Sequence, residues 1–171
     1  MDKGERGLTL VELMISLVLL AVLLQFGLPA IRGFVDDNRS LALRHSLERA
    51  VHQARALAVS HRVRVELCGS SDGLACDSDW SRGWLIRKLE SGKEPASTSQ
   101  ATTLDARSMQ LHWAGFRPHI LFHPGGYSTA GNGRFYLCRG QTLDWQLVLN
   151  RQGRLRQASA QENIELGHRC Q

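Results

Sequence analysis

The sequence has few aromatic residues and contains no C-x-x-C pair. Phe, Trp and Tyr together make up only 6% of the 171 residues, so a core must depend on aliphatic packing. Without a C-x-x-C pair, the spacings of a zinc site and of a thiol redox motif are both missing. No Gly-rich phosphate loop or dinucleotide-binding fingerprint occurs either. We therefore predict no metal site and no cofactor.

The residues that carry acid–base chemistry are scattered. Seven histidines are spread along the chain without a catalytic arrangement, namely His45, His52, His61, His112, His119, His123 and His168. We interpret them as surface or structural residues. The sequence therefore predicts a protein that is not an enzyme, with no catalytic residue.

A conventional secretory signal with an A-x-A cleavage site is also absent. Instead, the short charged segment 1–7 precedes an almost wholly apolar run at residues 8–31. At 1.5 Å per residue this run is about 36 Å long as a helix, enough to cross roughly 30 Å of hydrocarbon. Gly7 stands before the run, so cleavage there leaves the run attached. We predict a leader at residues 1–7 and a transmembrane half-helix at residues 8–31.

Glu12 is the one acidic residue inside this apolar run. A carboxylate within a bilayer is costly unless it is paired or protonated. If cleavage after Gly7 makes Leu8 the new N-terminus, the α-amine of a neighbouring subunit can pair with Glu12. The other interpretation is an interfacial glutamate that reaches water, and the residues alone favour neither.

After Gly33, apolar residues recur at spacings of three and four. The stripe consists of Leu43, Leu47, Ala50, Val51, Ala54, Leu57 and Ala58, and polar residues fill the other faces. This spacing is typical of a helix with one buried face. We predict an amphipathic half-helix at residues 32–61.

From residue 62 onward the pattern changes to short segments typical of strands. Strands are predicted at 62–67, 84–89, 109–113, 120–122, 135–138, 145–150 and 154–157, with loops at 68–81 and 91–102. Many short strands favour antiparallel sheets. The predicted fold class is therefore α+β: a long N-terminal helix, transmembrane and then amphipathic, packed on an antiparallel, sandwich-like head at residues 62–171.

Four cysteines follow the apolar run, and an even number in an exported domain suggests two disulfides. Four cysteines allow three pairings. We favour Cys68 with Cys76, which closes a short loop, and Cys138 with Cys170, which fastens the tail. Free buried thiols are the alternative.

A basic hairpin stands out near the C-terminus. The formal net charge of +5 favours anionic partners. Arg151-Gln152-Gly153 is a hairpin signal, and Arg154 and Arg156 lie two residues apart, on one face of a strand. Guanidiniums so placed can bind successive phosphates without reading sequence, which makes Arg151, Arg154 and Arg156 candidate DNA-binding residues. A solvated hairpin is the alternative. Three more arginines enlarge the patch if the tail folds back: Arg134, Arg139 and Arg169.

The segment Gly-Leu-Thr-Leu-Val-Glu-Leu-Met at residues 7–14 resembles the type III signal of type IV pilins and type II secretion pseudopilins. The resemblance implies cleavage after Gly7 by prepilin peptidase, N-methylation of the new terminus, and Glu12 as the assembly residue. Leu8 departs from the phenylalanine that is usual in the family at this position. Pro29 matches the proline that commonly kinks this helix, because proline removes a backbone donor.

The head resembles the GspH/FimT group of minor pilins and pseudopilins. The matching segments are Ala54-Arg55-Ala56-Leu57-Ala58, Val65-Glu66-Leu67-Cys68, Trp80 with Gly83-Trp84, Phe122 with Pro124-Gly125-Gly126, and 147–156. Residues 153–156 are similar to a G-R-x-R motif implicated in DNA binding by FimT-type pilins.

The two resemblances together imply a pilin-like subunit of the bacterial inner membrane with a periplasmic head. Its expected partners are prepilin peptidase, which cleaves it, and other pilins or pseudopilins. With the latter it is expected to assemble into a filament or to prime one. The sequence leaves two machines as alternatives for this subunit. One is a type IV pilus whose subunit binds double-stranded DNA for uptake, and the other is a type II secretion pseudopilus that exports protein without DNA binding.

Overall fold

The computed structural model describes residues 9–89, 98–103, 109–128 and 131–171. The chain divides into two compact units, Met1–Ala42 and Leu43–Gln171. This division falls inside the range 32–61 that was predicted as the amphipathic half-helix. Of the predicted processing site, Gly7 and Leu8 lie outside the described residues.

The first element, α1, is a helix over Leu10–His61. Thr9 stands directly before it, and its Oγ1 accepts a hydrogen bond from the Glu12 amide at 3.3 Å. The Thr9 carbonyl accepts the first helical bond, from the Leu13 amide, at 3.1 Å. A threonine there satisfies an amide that the first turn leaves unpaired, which explains why the helix begins at this point.

The transmembrane half predicted at residues 8–31 is not confirmed. Within the described ranges, no helix combines the length and the hydrophobicity that crossing a membrane requires. Pro29 lies inside α1, but its side chain is outside the described part of the structure. The predicted kink at Pro29 therefore stays a prediction.

The described strands form two four-stranded antiparallel sheets. The first sheet has the order β3-β2-β1-β5 and the second has the order β4-β6-β7-β8. In chain order the strands are β1 (Arg64–Gly69), β2 (Gly83–Leu89), β3 (Thr98–Thr103), β4 (Met109–Gly115), β5 (His119–Phe122), β6 (Gly133–Arg139), β7 (Thr142–Leu149) and β8 (Leu155–Gln157).

One core in the second unit is shared by α1 and the inner faces of both sheets. The predicted stripe of α1 supplies Leu47, Val51, Ala54 and Ala58, which are fully buried. The sheets supply alternate residues: Val65, Leu67, Trp84, Ile86, Ile120 and Phe122 from the first, and Leu111, Phe135, Leu137, Trp145, Leu147 and Leu149 from the second. This arrangement confirms the predicted α+β class.

Two segments differ from the prediction. Residues 98–102 were predicted as part of an exposed loop, but they belong to the edge strand β3, which pairs with β2. The sequence Thr-Ser-Gln-Ala-Thr-Thr lacks the apolar alternation that marks a half-buried strand. After β8, where no element was predicted, the chain forms a second helix, α2 (Ala160–Glu165), and a 3₁₀ helix (Gly167–Cys170).

The structure contains the two disulfides that the sequence favoured. Cys68 is bonded to Cys76, and Cys138 to Cys170, with the Cα atoms 5.6 Å apart in each pair. Cys138 belongs to β6 and Cys170 ends the 3₁₀ helix. The second disulfide therefore fastens the C-terminal tail to the second sheet.

Candidate nucleic-acid interface

The hairpin between β7 and β8 forms where the sequence predicted it. The two strands are antiparallel, with Val148 opposite Arg156. Asn150 closes the turn, because its amide donates to the Arg154 carbonyl at 3.1 Å while its Oδ1 accepts from the Arg154 amide at 2.9 Å. These paired bonds hold Arg154 directly before β8, which begins at Leu155.

Gly153 lets this turn lie directly against the rest of the head. Its φ is 71°, and a Cβ at this position would be 2.8 Å from the Gly126 carbonyl oxygen. The Gly153 carbonyl accepts a hydrogen bond from Arg55 Nη1 at 3.3 Å. The Arg151 carbonyl accepts one from the Ser128 amide at 2.9 Å. The turn is thus held by α1 and by the loop after β5.

The three predicted DNA-binding arginines are not equivalent. Arg151 and Arg154 are exposed, and neither guanidinium forms an ion pair with another residue that the structure describes. Arg156 is exposed as well, but Glu162 binds it through two hydrogen bonds, Nη1 to Oε2 at 2.9 Å and Nη2 to Oε1 at 2.8 Å. Arg154 directly precedes β8 and Arg156 lies within it, so the structure does not place both arginines in the strand as predicted, and Arg156 already has a carboxylate partner.

Glu162 is placed by the helix cap of α2. Its amide donates to Ser159 Oγ at 3.2 Å, and its Oε2 accepts from the Ser159 amide at 2.8 Å, which completes a capping box. The hydrogen bonds from Arg156, and then that from the Ser159 amide, lower the pKa of Glu162 from 4.5 to about 2. The same contact raises the pKa of Arg156. Both groups are therefore charged near neutral pH, and their charges cancel locally.

Arg134 extends the basic surface across the second sheet. It lies opposite Val148, which in turn lies opposite Arg156, so the three residues share one face. Arg134 Nη1 donates to Gln146 Oε1 at 3.1 Å. Gln146 is fully buried, and its Nε2 donates to the Glu162 carbonyl at 3.2 Å. Gln146 thus links the basic face to α2.

An open groove at the end of this sheet is lined by two arginines. The groove is lined by residues 132–134 and 148–152, which include Arg134 and Arg151. The other arginines suggested for the patch are engaged elsewhere. Arg139 pairs with Asp144 at 3.0 Å, and the Arg169 guanidinium lies 5.8 Å from the centre of the Tyr136 ring. The groove is therefore open and basic, with Arg134 partly engaged by Gln146.

Glu12, the predicted assembly residue, lies in the first turn of α1 and is exposed. Its carboxylate lies among exposed apolar side chains, including Val11 and Ile15. Its role in assembly stays a prediction.

One motif was not among the predicted sites. Residues 69–73 read Gly-Ser-Ser-Asp-Gly, which has the G-x-S-x-G spacing of a hydrolase nucleophile. The segment joins β1 to β2, whereas a nucleophile elbow joins a strand to a helix. The Ser71 hydroxyl donates to the Asp77 carboxylate, which also accepts from the Ser71 amide at 2.9 Å. The motif therefore belongs to a loop that is held by internal hydrogen bonds and closed by the Cys68–Cys76 disulfide.

Two family models match the sequence. A model described as Type II transport protein GspH matches residues 44–153, which is more than half of the chain. A model described as Prokaryotic N-terminal methylation motif matches residues 2–24, which include Gly7, Leu8 and Glu12. The sequence matches no curated protein.

Solved structures share this fold. One crystal form of the type IV minor pilin FimU of Pseudomonas aeruginosa (strain PAO1) gives a TM-score of 0.60 at 18% identity, covering 75% of this chain and 94% of FimU. A second crystal form gives 0.53 at 17% identity, covering 68% and 90%. The minor pseudopilin EpsH from the Type 2 Secretion System of Vibrio cholerae gives 0.47 at 15% identity, covering 67% and 92%. The similarity to FimU establishes a shared fold.

Proposed function

This chain belongs to the GspH family and is a minor pilin or pseudopilin, and we propose that it joins a filament through its N-terminal helix. Prepilin peptidase removes residues 1–7 by cutting after Gly7, and Leu8 becomes the methylated N-terminus. Residues 8–31 hold the chain in the bacterial inner membrane before assembly. The head stays in the periplasm, an oxidising compartment that suits its two disulfides.

The observation that carries this proposal is the exposed apolar surface of α1. The apolar side chains from Leu10 to Leu24 are exposed, with Leu10 at 73% and Leu23 at 70%. Soluble proteins rarely leave so continuous an apolar surface uncovered. Lipid can cover this apolar surface before assembly. The helices of other pilins or pseudopilins can cover it in the filament.

Glu12 is the one charged residue among these apolar side chains. In a filament, pairing its carboxylate with the α-amine of a neighbouring subunit neutralises both charges where water is excluded. A glutamate that only reaches toward water at the membrane surface is the alternative. The two roles make different predictions for a chain already inserted in the membrane, because only charge pairing with a neighbouring subunit is needed for assembly.

Replacement of Glu12 tests this assignment. In cells that make the filament, Glu12→Ala should remain in the membrane fraction but fall by more than about tenfold in sheared filaments, because an unpaired buried amine costs more than 1.4 kcal/mol. Ser16→Ala, one turn further along the same exposed face, is the matched control and should be incorporated normally. Normal incorporation of the Glu12 variant would remove charge pairing from the account.

DNA binding by the head is a second candidate function. It is supported by the exposed guanidiniums of Arg151 and Arg154, and by the groove that Arg151 shares with Arg134. Contacts of this kind bind backbone phosphates and so recognise double-stranded DNA without reading its sequence. In a type IV pilus such a head would capture extracellular DNA for uptake.

A gel-shift titration with the full-length chain in non-ionic detergent tests this second function. Arg151→Ala/Arg154→Ala should weaken binding, and the log–log salt slope should become shallower by about 1.8, since each lost phosphate contact removes about 0.9. Arg64→Ala removes an exposed arginine from the other sheet and should bind like the wild type. Unchanged binding by the double variant would exclude these two residues.

The alternative machine is a type II secretion pseudopilus, in which the subunit serves protein export without binding DNA. Deletion of the gene separates the two machines. The pilus role predicts loss of DNA uptake with normal secretion, and the pseudopilus role predicts accumulation of exported proteins in the periplasm with normal uptake.

A further inference from the structure

The C-terminal tail carries an acid that binds Arg156 as a phosphate would. Two parallel N–H···O bonds, at 2.9 and 2.8 Å, join the Arg156 fork to the two carboxylate oxygens of Glu162. Carboxylate and phosphate offer the same paired acceptors to a guanidinium. Arg156 Nη1 also donates to the Gln157 carbonyl at 3.3 Å. The donors that would bind a phosphate end-on are therefore already engaged.

The tail holds Glu162 in this position from several sides. The capping box with Ser159 orients the carboxylate. Gln146 Nε2 donates to the Glu162 carbonyl and to the side-chain Oδ1 of Asn163, the latter at 3.1 Å. The disulfide between Cys138 and Cys170 closes the tail onto β6. Most surface ion pairs join two mobile side chains and contribute little. Here Glu162 belongs to the C-terminal tail, which the capping box, Gln146 and the disulfide hold in place.

We infer that Glu162 is an internal competitor for the anion site of Arg156, so that α2 is an autoinhibitory clamp on the basic hairpin. The inference rests on the proposed DNA binding by this face. Arg151 and Arg154 make the first phosphate contacts, and Arg156 contributes only when a phosphate displaces Glu162. The clamp therefore lowers the affinity of the head for DNA and makes that affinity less dependent on salt.

Glu162→Gln tests the clamp without unfolding it. A glutamine at this position retains the capping box but not the charge that holds Arg156. Glu165→Gln is the matched control, because Glu165 lies on the same helix, its carboxylate accepts from Gln161 Nε2 at 3.1 Å, and its replacement changes the net charge equally. Both full-length variants are titrated in detergent against one double-stranded DNA fragment over a range of salt concentrations.

Relative to Glu165→Gln, the Glu162→Gln variant should bind DNA about two- to fivefold more tightly at low salt, the gain expected from releasing an exposed ion pair. Its salt slope should be steeper by about 0.9, the increment of one added phosphate contact. In an Arg156→Ala background, Glu162→Gln should produce neither gain, because the released arginine is missing.

The possible failures are distinct. If the wild type binds DNA and the two glutamine variants behave alike, the clamp is wrong and the DNA-binding function stands. If the gain persists in the Arg156→Ala background, Glu162 acts through the general field and the clamp is again wrong. If neither the wild type nor Glu162→Gln retards DNA at low salt, the proposed DNA binding fails and the clamp fails with it.

Discussion

At the scale of single residues, Glu66 is the most buried charged side chain that the head contains within the described ranges. It is 8% exposed and lies on β1, where it accepts from Arg87 Nε at 3.2 Å and lies 3.6 Å from His119 Nδ1. Burying a carboxylate is costly unless donors surround it. Arg87 on β2 supplies those donors, and His119 on β5 lies close to the same carboxylate, so groups from three strands of the first sheet meet at Glu66.

Glu66→Gln should lower the free energy of unfolding by roughly 1–2 kcal/mol, between the values typical of exposed and fully buried pairs, because Arg87 loses its counter-ion. Glu165→Gln makes the same chemical change at an exposed position and should cost less than about 0.5 kcal/mol. Urea denaturation of the full-length chain, followed by tryptophan fluorescence, measures both. Equal losses would show that Glu66 contributes no more than a surface charge.

Glu162 predicts a pH dependence of stability. Its pKa falls from 4.5 to about 2 because Arg156 and then Ser159 donate to its carboxylate. A lowered pKa stabilises the folded state fully above the ordinary value of the group, and this stabilisation is lost as the pH falls through the folded value. The stability difference between wild type and Glu162→Gln should therefore be constant above about pH 5 and shrink toward pH 2. A difference that does not change over that range would contradict the ion pair.

At the scale of elements, apolar periodicity predicted most of the head, because each of those strands has one face in the shared core. The stripe from Leu43 to Ala58 and the alternation around Val65 and Leu111 are examples. β3 was missed because an edge strand whose one apolar residue is Ala101 carries no such pattern. The sequence does carry a signal for α2, because Ser159 with Glu162 three residues later is a capping-box pattern.

The candidate site was predictable in part. The turn at residues 151–153 and the positive φ of Gly153 followed from local chemistry. The occupation of Arg156 by Glu162 did not, because the two residues are on different elements and meet only after the tail folds back over β7. Contacts between elements depend on packing that strand and turn patterns do not encode.

Gly153 is the turn residue that most constrains the hairpin. Gly153→Ala should destabilise the head by more than the roughly 1–2 kcal/mol that left-handed backbone costs a residue with a Cβ, since that Cβ would meet the Gly126 carbonyl. Gly140→Ala is the matched control, with a φ of 59° and no atom within 4 Å of the added Cβ, and should show the backbone cost alone. Equal unfolding free energies for the two variants would mean that the turn can move away from Gly126.

At the scale of the whole molecule, the two units meet different physical demands. In Met1–Ala42, the helix from Leu10 exposes the apolar side chains that assembly would cover. Leu43–Gln171 has its own core and two disulfides, and it carries the arginines of the hairpin. Met1–Ala42 is suited to joining other subunits, and Leu43–Gln171 is suited to display on the filament. We interpret this division as that of a minor pilin or pseudopilin.

Intact mass spectrometry of the chain recovered from sheared filaments tests this account most directly. The account predicts a polypeptide that begins at Leu8, carries one added methyl group and contains two disulfides. Recovery of the chain only from membranes, with residues 1–7 still attached in cells whose prepilin peptidase is active, would contradict it.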